Sequence, residues 1–515
     1  MSAHTMTTPN APHLIRRDYL ILAALALIIG VAAAAPLHNP GYTDAYYYYN
    51  AAARLVGGQG LTDAVLWTYL GNPTTLPAPS HLYWLPMPSF VAAVGMAIFG
   101  IGFKAAQVGF VALYIALALI GAWLGGRLGG TRRTGWLSGL VTLLSGYFLP
   151  YWFTTATFAP FAVFAALALI GCGIGRAHEK TLAWAGAGVC CGLAHLTRND
   201  GLFVVAALVI AALWGRWRTG RAWRGAIIGV ASYLLIMTPW FARNLSISGT
   251  ILPAGGLDLA FARTYDDLFN YPPRIEASAF FAQGLGAILR GRGEALALNA
   301  QTFLAVEGGI LIAPLMVIGL WRQRRDPLLA GFLLYMPALH LLMTLVFPFS
   351  GMRGGLFHSA AALVPFWAAL GVIGLEGVIA RLAKWRRWRV RQAQAVFSGA
   401  ALVWLAYLSY TTAAGKAAAW GGESAYGWLD VPPGAVVMLN DPAALYYFRG
   451  ISAVVIPNAP PERIAEIAAR YGVTHVLIDP AHTVPLVALW RGEDIPPFLQ
   501  IVIWAEGYRL YRIVP

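Results

Sequence analysis

The fold is decided by residues 19–50, which read YLILAALALIIGVAAAAPLHNPGYTDAYYYYN. They begin with an apolar run close to the ~20 residues that an α-helix needs to cross a bilayer. The sequence then turns polar and aromatic, and Asp44 follows a few residues after the end of the run. A membrane protein rarely keeps a carboxylate at the lipid–water boundary without a function for it. This stretch therefore predicts a membrane helix followed by a functional acid at the mouth of a cavity.

The composition of the whole chain has the same character. Of its 515 residues, 58% are hydrophobic and only 11% are charged, and the mean hydropathy is +0.62. An ordinary soluble domain carries about 25% charged residues. The three cysteines, Cys172, Cys190 and Cys191, show no spacing typical of disulfides or metal sites. We therefore expect an α-helical polytopic membrane protein.

The formal net charge of +14 is concentrated in short tracts. These basic tracts lie between apolar segments, at 16–17, 127–133, 216–224, 322–325 and 381–391. Basic tracts beside membrane spans mark the cytoplasmic side and attract anionic headgroups, so we expect the lipid bilayer, and not nucleic acid, as their partner. All five tracts are cytoplasmic if the N-terminus is cytoplasmic and the short apolar stretch 86–101 lies in the interface without crossing.

This topology predicts about eleven transmembrane helices in the plasma membrane. The first helix is expected to stay uncleaved, because no clear small-residue cleavage site follows it. The predicted spans are 19–36, 105–125, 135–150, 158–174, 182–197, 201–214, 226–242, 302–320, 328–346, 358–380 and 393–412. Residues 1–15 are expected to form a disordered cytoplasmic leader and residues 16–413 the transmembrane domain. Its long loops, 37–104 and 243–301, are expected to be extracytoplasmic.

Residues 417–515 have a different pattern. Short β-branched runs bounded by Gly, Pro and Asn alternate with an amphipathic helical segment, PERIAEIAARYG. They predict a small extracytoplasmic α/β domain that ends in a hairpin turning at Glu506-Gly507. About 95 residues are enough for such a domain to hold its own core.

Polar residues from several segments converge on the extracytoplasmic face in this topology, which predicts one site there. The candidate residues are Asp44, Tyr47, His81, Trp84, Arg198, Asp200, Arg243, Asn244, Asp267, Arg353 and His358. For each kind of residue, a purely structural role stays open as an alternative to a role in a site. Asp44 is also suited to capping a helix, the tyrosines to an interfacial belt, and Arg243 to reaching the lipid headgroups. Arg198 and Asp200 also fit a solvated ion pair, which contributes little at a surface.

Four features together carry a resemblance to a known family. They are Asp44 in the first outside loop, YLGNPTTLPAPSHLYWLPMPSFVAAVGMAIFG at 69–100, LTRNDG at 196–201 and PWFARNLSISGTILP at 239–253. With them the chain resembles the GT-C membrane glycosyltransferases, in particular the bacterial group similar to protein O-mannosyltransferases and the lipid A aminoarabinose transferase. It departs from the eukaryotic protein mannosyltransferases in having one acid, Asp44, where those have an acidic pair.

The resemblance implies a transferase that moves a sugar, with inversion, from a polyprenyl-phosphate donor to an extracytoplasmic acceptor. The acceptor is an envelope glycan, a lipid or a protein. Asp44 would be the general base, and Arg243, with Arg198 or Arg353, would bind the donor phosphate. The other candidates would bind substrate.

We expect no cofactor, and a single acid without a DxD partner does not predict a tightly bound divalent metal. A transporter or flippase of lipid-linked sugars, without bond making, is the alternative function. A non-catalytic scaffold that binds a partner through its outside domain is a third.

Overall fold

The chain is mostly helical in a computed structural model, which describes residues 14–421 and 426–514. Most of the predicted leader, 1–15, lies outside the described residues. The α-helices up to residue 421 are α1 (Arg16–Ala34), α2 (Thr43–Val56), α3 (Met87–Phe99), α4 (Phe103–Gly129), α5 (Arg132–Leu143), α6 (Phe158–His178), α7 (Thr181–Thr197), α8 (Gly201–Leu213), α9 (Gly220–Ser248), α10 (Ala277–Ala282), α11 (Leu285–Gln301), α12 (Ala313–Gln323), α13 (Ala330–Leu345), α14 (Pro348–Ser350), α15 (Leu356–Ala360), α16 (Val364–Arg386) and α17 (Val390–Trp420).

Seven helical segments among the described residues are long and apolar enough to cross a membrane, and the chain is a multi-pass membrane protein. They contain α1, α4, α6, α9, α13, α16 and α17, and they coincide with seven of the predicted spans. The other predicted spans fall on α5, α7, α8 and α12, which have only 12, 17, 13 and 11 residues. The predicted number of eleven is therefore not confirmed, and neither the side of the termini nor the interfacial location of α3 is tested.

Two of these short helices have visible causes. After α5, residues Gly146–Phe153 form a 3₁₀ helix with Pro150 inside it, so the predicted span 135–150 is not one α-helix. Before α12, residues Thr302–Glu307 are π-helical, and the chain then turns through Ile310 at a positive φ of 67°. Averaged hydropathy does not register such breaks, because most residues around them are apolar.

The C-terminal part is the expected small α/β unit. Its helices are α18 (Pro442–Arg449), α19 (Arg463–Tyr471) and α20 (Val487–Arg491). Its strands are β4 (Val436–Leu439), β5 (Ser452–Val455), β6 (Val473–Ile478), β7 (Leu499–Ala505) and β8 (Tyr508–Ile513). The predicted hairpin is present, with Ala505 opposite Tyr508 across the turn. The predicted start of the domain, residue 417, falls inside α17.

One strand of this sheet comes from the loop between α2 and α3. The six strands lie in the order β2-β5-β4-β6-β8-β7, and β2 (Val65–Leu66) pairs in parallel with β5. A second pairing, between β1 (Thr62–Asp63) and β3 (Ala78–Pro79), closes the same loop on itself. Side chains from this loop and from the loop that follows α9, such as Trp67 and Phe269, join the core on one face of the sheet. The sheet therefore lies directly over these two loops and the helix that carries Asp44.

Candidate functional site

Helix α2 begins one residue before Asp44. Tyr42 is extended and precedes the first turn without a side-chain cap, so the carboxylate of Asp44 lies near free N–H groups at a helix N-terminus. That end of a helix carries partial positive charge, which favours an acid there. The local sequence therefore starts the helix and places Asp44 where the helix N-terminus stabilises its carboxylate.

The tyrosines of α2 are not an interfacial belt. Tyr46, Tyr47 and Tyr48 are buried. Four consecutive positions point all round a helix, and here other elements cover most of its sides. Tyr46 packs against Tyr447 of the C-terminal domain, with ring centroids 5.0 Å apart, and Tyr47 packs against Trp84 at 4.7 Å. The loop between α2 and α3 and the C-terminal domain, which hydropathy cannot place, provide this cover.

A cavity of about 210 Å³ opens beside α2. One part of its wall is polar and aromatic, formed by Tyr48, Tyr83, Trp84, Thr157, Thr197, Arg198, Asn199 and Asp200. The rest is mainly apolar, with Leu202, Phe203, Leu252, Leu257, Leu259, Met343 and Phe347. The cavity is thus amphipathic, and it is formed jointly by α2, the α7–α8 connection, the loops that follow α2 and α9, and the α13–α15 region.

Arg198 is the central cation of the polar wall. Its Nη2 lies 3.0 Å from Asp200 Oδ2, and its Nε lies 3.2 Å from Ser359 Oγ. Ser359 also donates to Asp200. The side chains of Arg198 and Asp200 are only 17% and 13% exposed, so this is not the solvated ion pair of a surface turn. An ion pair that is partly desolvated and tied to a third group holds its geometry better than an exposed one.

His358 joins the same network from the opposite side. Its Nδ1 lies 2.7 Å from Thr157 Oγ1, and that hydroxyl also accepts a long contact of 3.4 Å from Arg198 Nη1. The His358 ring stacks on Phe158 with centroids 4.0 Å apart. The structure therefore brings Arg198, Asp200 and His358 together, as the predicted topology requires.

Asp44 lies within electrostatic reach of this network. Burial raises the pKa of its carboxyl to about 6, the nearby charge of Arg198 opposes the increase, and the charge of Asp441 adds to it. Asp441 belongs to the C-terminal domain, and no part of the sequence analysis singled it out. A carboxylate with a pKa near 6 is still ionised at neutral pH and is a stronger base than an exposed aspartate.

Arg353 lies next to the cavity without forming its wall. It stands in the short π-helical stretch Gly351–Gly355, and its guanidinium lies over the Tyr265 ring at 5.2 Å. Ser350 and Gly355, at the two ends of that stretch, do line the cavity. Tyr265 in turn is within the electrostatic reach of Asp44.

Tyr47, His81 and Arg243 form a second polar cluster. Tyr47 Oη donates to Asp63 Oδ2 at 2.8 Å and accepts from the backbone N–H of His81 at 2.7 Å. The His81 ring is held by the hydroxyls of Ser80 and Ser89, at 2.8 and 3.0 Å. Arg243 donates to the carbonyl of Ser80 at 2.8 Å. These candidates therefore meet one another without lining the cavity, and Tyr47 packs behind its wall against Trp84.

Asp63 is the acid of the second cluster. Burial raises its pKa to about 7, while the hydrogen bond from Tyr47 and the charges of Arg54 and Arg243 work against the increase. Burial, with a smaller effect of Arg243, lowers the pKa of His81 to about 3, so this ring is neutral in the working range. The sequence offers little signal for Asp63, since it ends a two-residue strand in an otherwise irregular loop.

Two further candidates organise loops. Asn244 donates to the carbonyl of Ile251 across the turn that follows α9, at 3.4 Å. Asp267 accepts from the backbone N–H groups of Arg263 and Thr264, at 2.7 and 3.1 Å. Neither side chain forms part of the cavity wall. Among the described residues, no three His, Cys, Asp or Glu side chains are grouped so that they could hold a metal ion.

No protein-family model matches the chain, and no curated protein matches it in sequence. Solved structures match its fold. ArnT from Cupriavidus metallidurans, with undecaprenyl phosphate bound, is 15% identical with a TM-score of 0.57, and the match covers 96% of this chain and 97% of ArnT. ArnT in the apo state gives 14% identity and a TM-score of 0.58 over the same shares.

A second protein has the same fold. The oligosaccharyltransferase of Archaeoglobus fulgidus, in complex with zinc and sulfate, is 14% identical with a TM-score of 0.56, and the match covers 96% of this chain and 73% of that one. The chain therefore has the GT-C fold, as its sequence predicted.

Proposed function

We propose that this protein is a membrane glycosyltransferase that moves a sugar from a polyprenyl-phosphate donor to an extracytoplasmic acceptor. The observation that carries the proposal is the amphipathic cavity with Arg198 in its polar wall and Asp44 within electrostatic reach. A donor that combines a sugar, a phosphate and an isoprenoid chain needs a cavity whose wall changes from polar to apolar along its length. The GT-C fold and the undecaprenyl phosphate bound to ArnT support the same substrate class.

Arg198 is the residue best placed for the donor phosphate. Its Nη1 makes only the long contact to Thr157 among the hydrogen bonds described above, and a phosphate oxygen can replace that contact. The pair with Asp200 holds the guanidinium plane in the wall while leaving this nitrogen directed away from the acid. Arginine suits this role because its planar fork matches the geometry of phosphate.

The two remaining predicted arginines differ in location. Arg353 is within reach of the cavity edge through Tyr265, and a modest rearrangement of its glycine-rich segment would bring it to the phosphate. Arg243 is held by Ser80 and lies over the Trp240 ring at 4.6 Å. We therefore propose that Arg198 binds the phosphate with help from Arg353. Arg243 supports the wall behind Trp84.

The aromatic and apolar walls suit the rest of the donor. Tyr48, Tyr83 and Trp84 line the cavity with aromatic side chains, which are groups that stack on sugar rings. Leu202, Phe203 and Phe347 continue the wall with hydrocarbon, where an isoprenoid chain gains the hydrophobic contribution of each buried methylene. The donor would therefore lie with its sugar near α2 and its tail towards α8 and α13.

The chemical step then follows from the location of Asp44. Its carboxylate takes the proton of an acceptor hydroxyl as that oxygen attacks the anomeric carbon. The bond from the anomeric carbon to the phosphate oxygen breaks, and its electron pair stays on the phosphate. Arg198 stabilises the charge that accumulates there. A single displacement inverts the anomeric carbon, and the acceptor is a glycan, a lipid or a protein.

The proposal is tested by transfer in proteoliposomes. The probes are radiolabelled polyprenyl-phosphate sugars, with a crude extract of envelope glycans, lipids and proteins as acceptors. Wild type is compared with Asp44→Asn, and Asp258→Asn serves as a matched control because Asp258 is an exposed acid of an outside loop. We expect transfer by wild type and the control, and none by Asp44→Asn.

Two results would contradict the proposal. Turnover retained in Asp44→Asn would remove Asp44 as general base. Label that crosses the bilayer equally in all three variants, without reaching any acceptor, would favour a transporter of lipid-linked sugars.

A further inference from the structure

The helix that carries Asp44, α2, contacts the C-terminal domain along its length. Its residues 43, 46, 50 and 54 recur every three or four positions, so they share one helix face. Asn50 Nδ2 donates to the carbonyl of Ala443 at 2.8 Å, and this contact is buried. Arg54 Nη1 donates to Tyr446 Oη at 3.1 Å. Both acceptors belong to α18.

The same face is packed as well as hydrogen-bonded. Tyr46 contacts Tyr447 and Phe448, with ring centroids 5.0 and 5.5 Å away. Tyr49, beside this face, meets Tyr447 edge to face at 4.9 Å. Aromatic pairs of this kind contribute beyond the area they bury. We call this contact the α2–α18 clamp, formed by residues 43, 46, 50 and 54 of α2 with residues 441–448.

One carboxylate stands where both helices of the clamp begin. Asp441 Oδ2 accepts from Thr43 Oγ1 at 2.9 Å, although the two residues are 398 positions apart in the sequence. Its Oδ1 accepts from the backbone N–H of Ala444 at 3.2 Å, so Asp441 is also the N-cap of α18. Thr43 is the first residue of α2 and directly precedes Asp44. Asp441 therefore connects the start of one helix to the start of the other.

Building on the function proposed above, we propose that Asp441 is a positioning residue, which holds the first turn of α2 and with it the carboxylate of Asp44. The C-terminal domain then completes the site from outside the membrane. Without the tether, the first residue of α2 loses its link to α18, and Tyr42 supplies no side-chain cap in its place. Helix ends without caps fray, and a base that moves by about 1 Å loses much of its effect on rate.

The charge of Asp441 has a second consequence. Together with burial it raises the pKa of Asp44, and Arg198 opposes it. Four further titratable groups interact electrostatically with Asp44. They are Tyr42, Tyr48, Tyr83 and Tyr265. Asp479 faces Asp441 from the same domain. Removing the charge of Asp441 alone should therefore lower the pKa of Asp44.

The charge effect is tested without any substrate. The probe is an infrared pH titration of the purified full-length protein in lipid nanodiscs, with the carboxyl band of Asp44 assigned by its absence in Asp44→Asn. We expect a midpoint near pH 6 in wild type. In Asp441→Asn, which keeps the side-chain length and an acceptor oxygen, the midpoint should fall by about half a pH unit. Glu493→Gln, an exposed acid of the same domain, should leave it unchanged.

The tether is tested by kinetics in the transfer assay. Thr43→Val removes the hydroxyl while leaving every charge in place, and we expect it to lower kcat about tenfold with little change in KM for the donor. Thr43→Ser restores the hydroxyl and should restore kcat. If Asp441→Asn does not fold, this pair of variants carries the test.

A midpoint that does not move in Asp441→Asn, or equal kcat values for Thr43→Val and Thr43→Ser, would overturn the positioning role. Neither result would contradict the proposed transferase activity. Conversely, turnover by Asp44→Asn would remove the proposed function while leaving the infrared result readable.

Discussion

Asp44→Asn is expected to raise the free energy of unfolding at neutral pH. The increase should become smaller as the pH falls. The pKa of Asp44 rises from 3.8 to about 6 in the folded protein. The folded state thus binds this proton more tightly than the unfolded chain, so the ionised carboxylate destabilises the fold above pH 6. The effect fades as the pH falls through 6 and is gone below about pH 4, where the carboxyl is protonated in both states.

The size of this effect follows from the same numbers. A shift of about two pH units corresponds to about 3 kcal/mol, at about 1.4 kcal/mol per unit. The opposing charge of Arg198 is already included in that shift. Asp44 is partly exposed, so solvent screening reduces the effect, and a gain of about 1–2 kcal/mol at pH 7.5 is expected.

The assay is unfolding of wild type and Asp44→Asn in mixed micelles, followed by tryptophan fluorescence at pH 7.5 and pH 4.5. Asp258→Asn, at an exposed position, serves as the control for loss of a charge. We expect Asp44→Asn to unfold at higher denaturant than wild type at pH 7.5, and at about the same denaturant at pH 4.5. Equal stability of the two proteins at pH 7.5, or an equal gain at both pH values, would refute the reasoning.

Three further predictions concern rate, donor binding and topology. Because Asp44 acts when ionised, kcat/KM should fall about tenfold per pH unit below pH 6 and level off above it; a rate that stays constant down to about pH 4.5 would mean an ordinary carboxylate. Arg198→Lys should raise the donor KM about tenfold, because an ammonium does not replace the planar fork, whereas Arg243→Lys should change it by less than about twofold; equal losses would bring Arg243 to the phosphate. Gly102→Cys, at a position with open space around a Cβ, should react with an impermeant maleimide from outside, and labelling only after permeabilisation would mean that 86–101 crosses.

Much of the architecture was predictable because hydrophobicity is a local property. The long spans, the α/β character of the last hundred residues and the hairpin at Glu506-Gly507 all follow from patterns within short windows. Asp44, Arg198 and Asp200 were candidates on the same local grounds, as polar residues beside apolar runs. Arg198 and Asp200 line one cavity, and Asp44 lies within electrostatic reach of Arg198.

What escaped prediction depends on contacts distant in sequence. An interfacial belt stayed open for the tyrosines of α2, because nothing in the local sequence indicates the domain that covers them. Asp441 reads locally as an ordinary N-cap before Pro442, and its second contact, with Thr43, is invisible without the fold. The hydrogen bond from Arg243 to Ser80 was equally invisible, because a backbone carbonyl leaves no mark in a sequence.

The short strand β2 bears on the order in which the protein is made. Val65 and Leu66 pair with Ala453 and Val454, so the loop between α2 and α3 cannot complete the sheet until nearly 400 more residues have been synthesised. At ~5–20 residues per second, that interval is roughly 20 to 80 seconds. Throughout it, the loop with Trp67 and Tyr69 exposes aromatic surface that the finished protein buries. Nascent chains arrested before residue 453 should therefore remain sensitive to protease between residues 57 and 86, and chains arrested beyond the last strand should not.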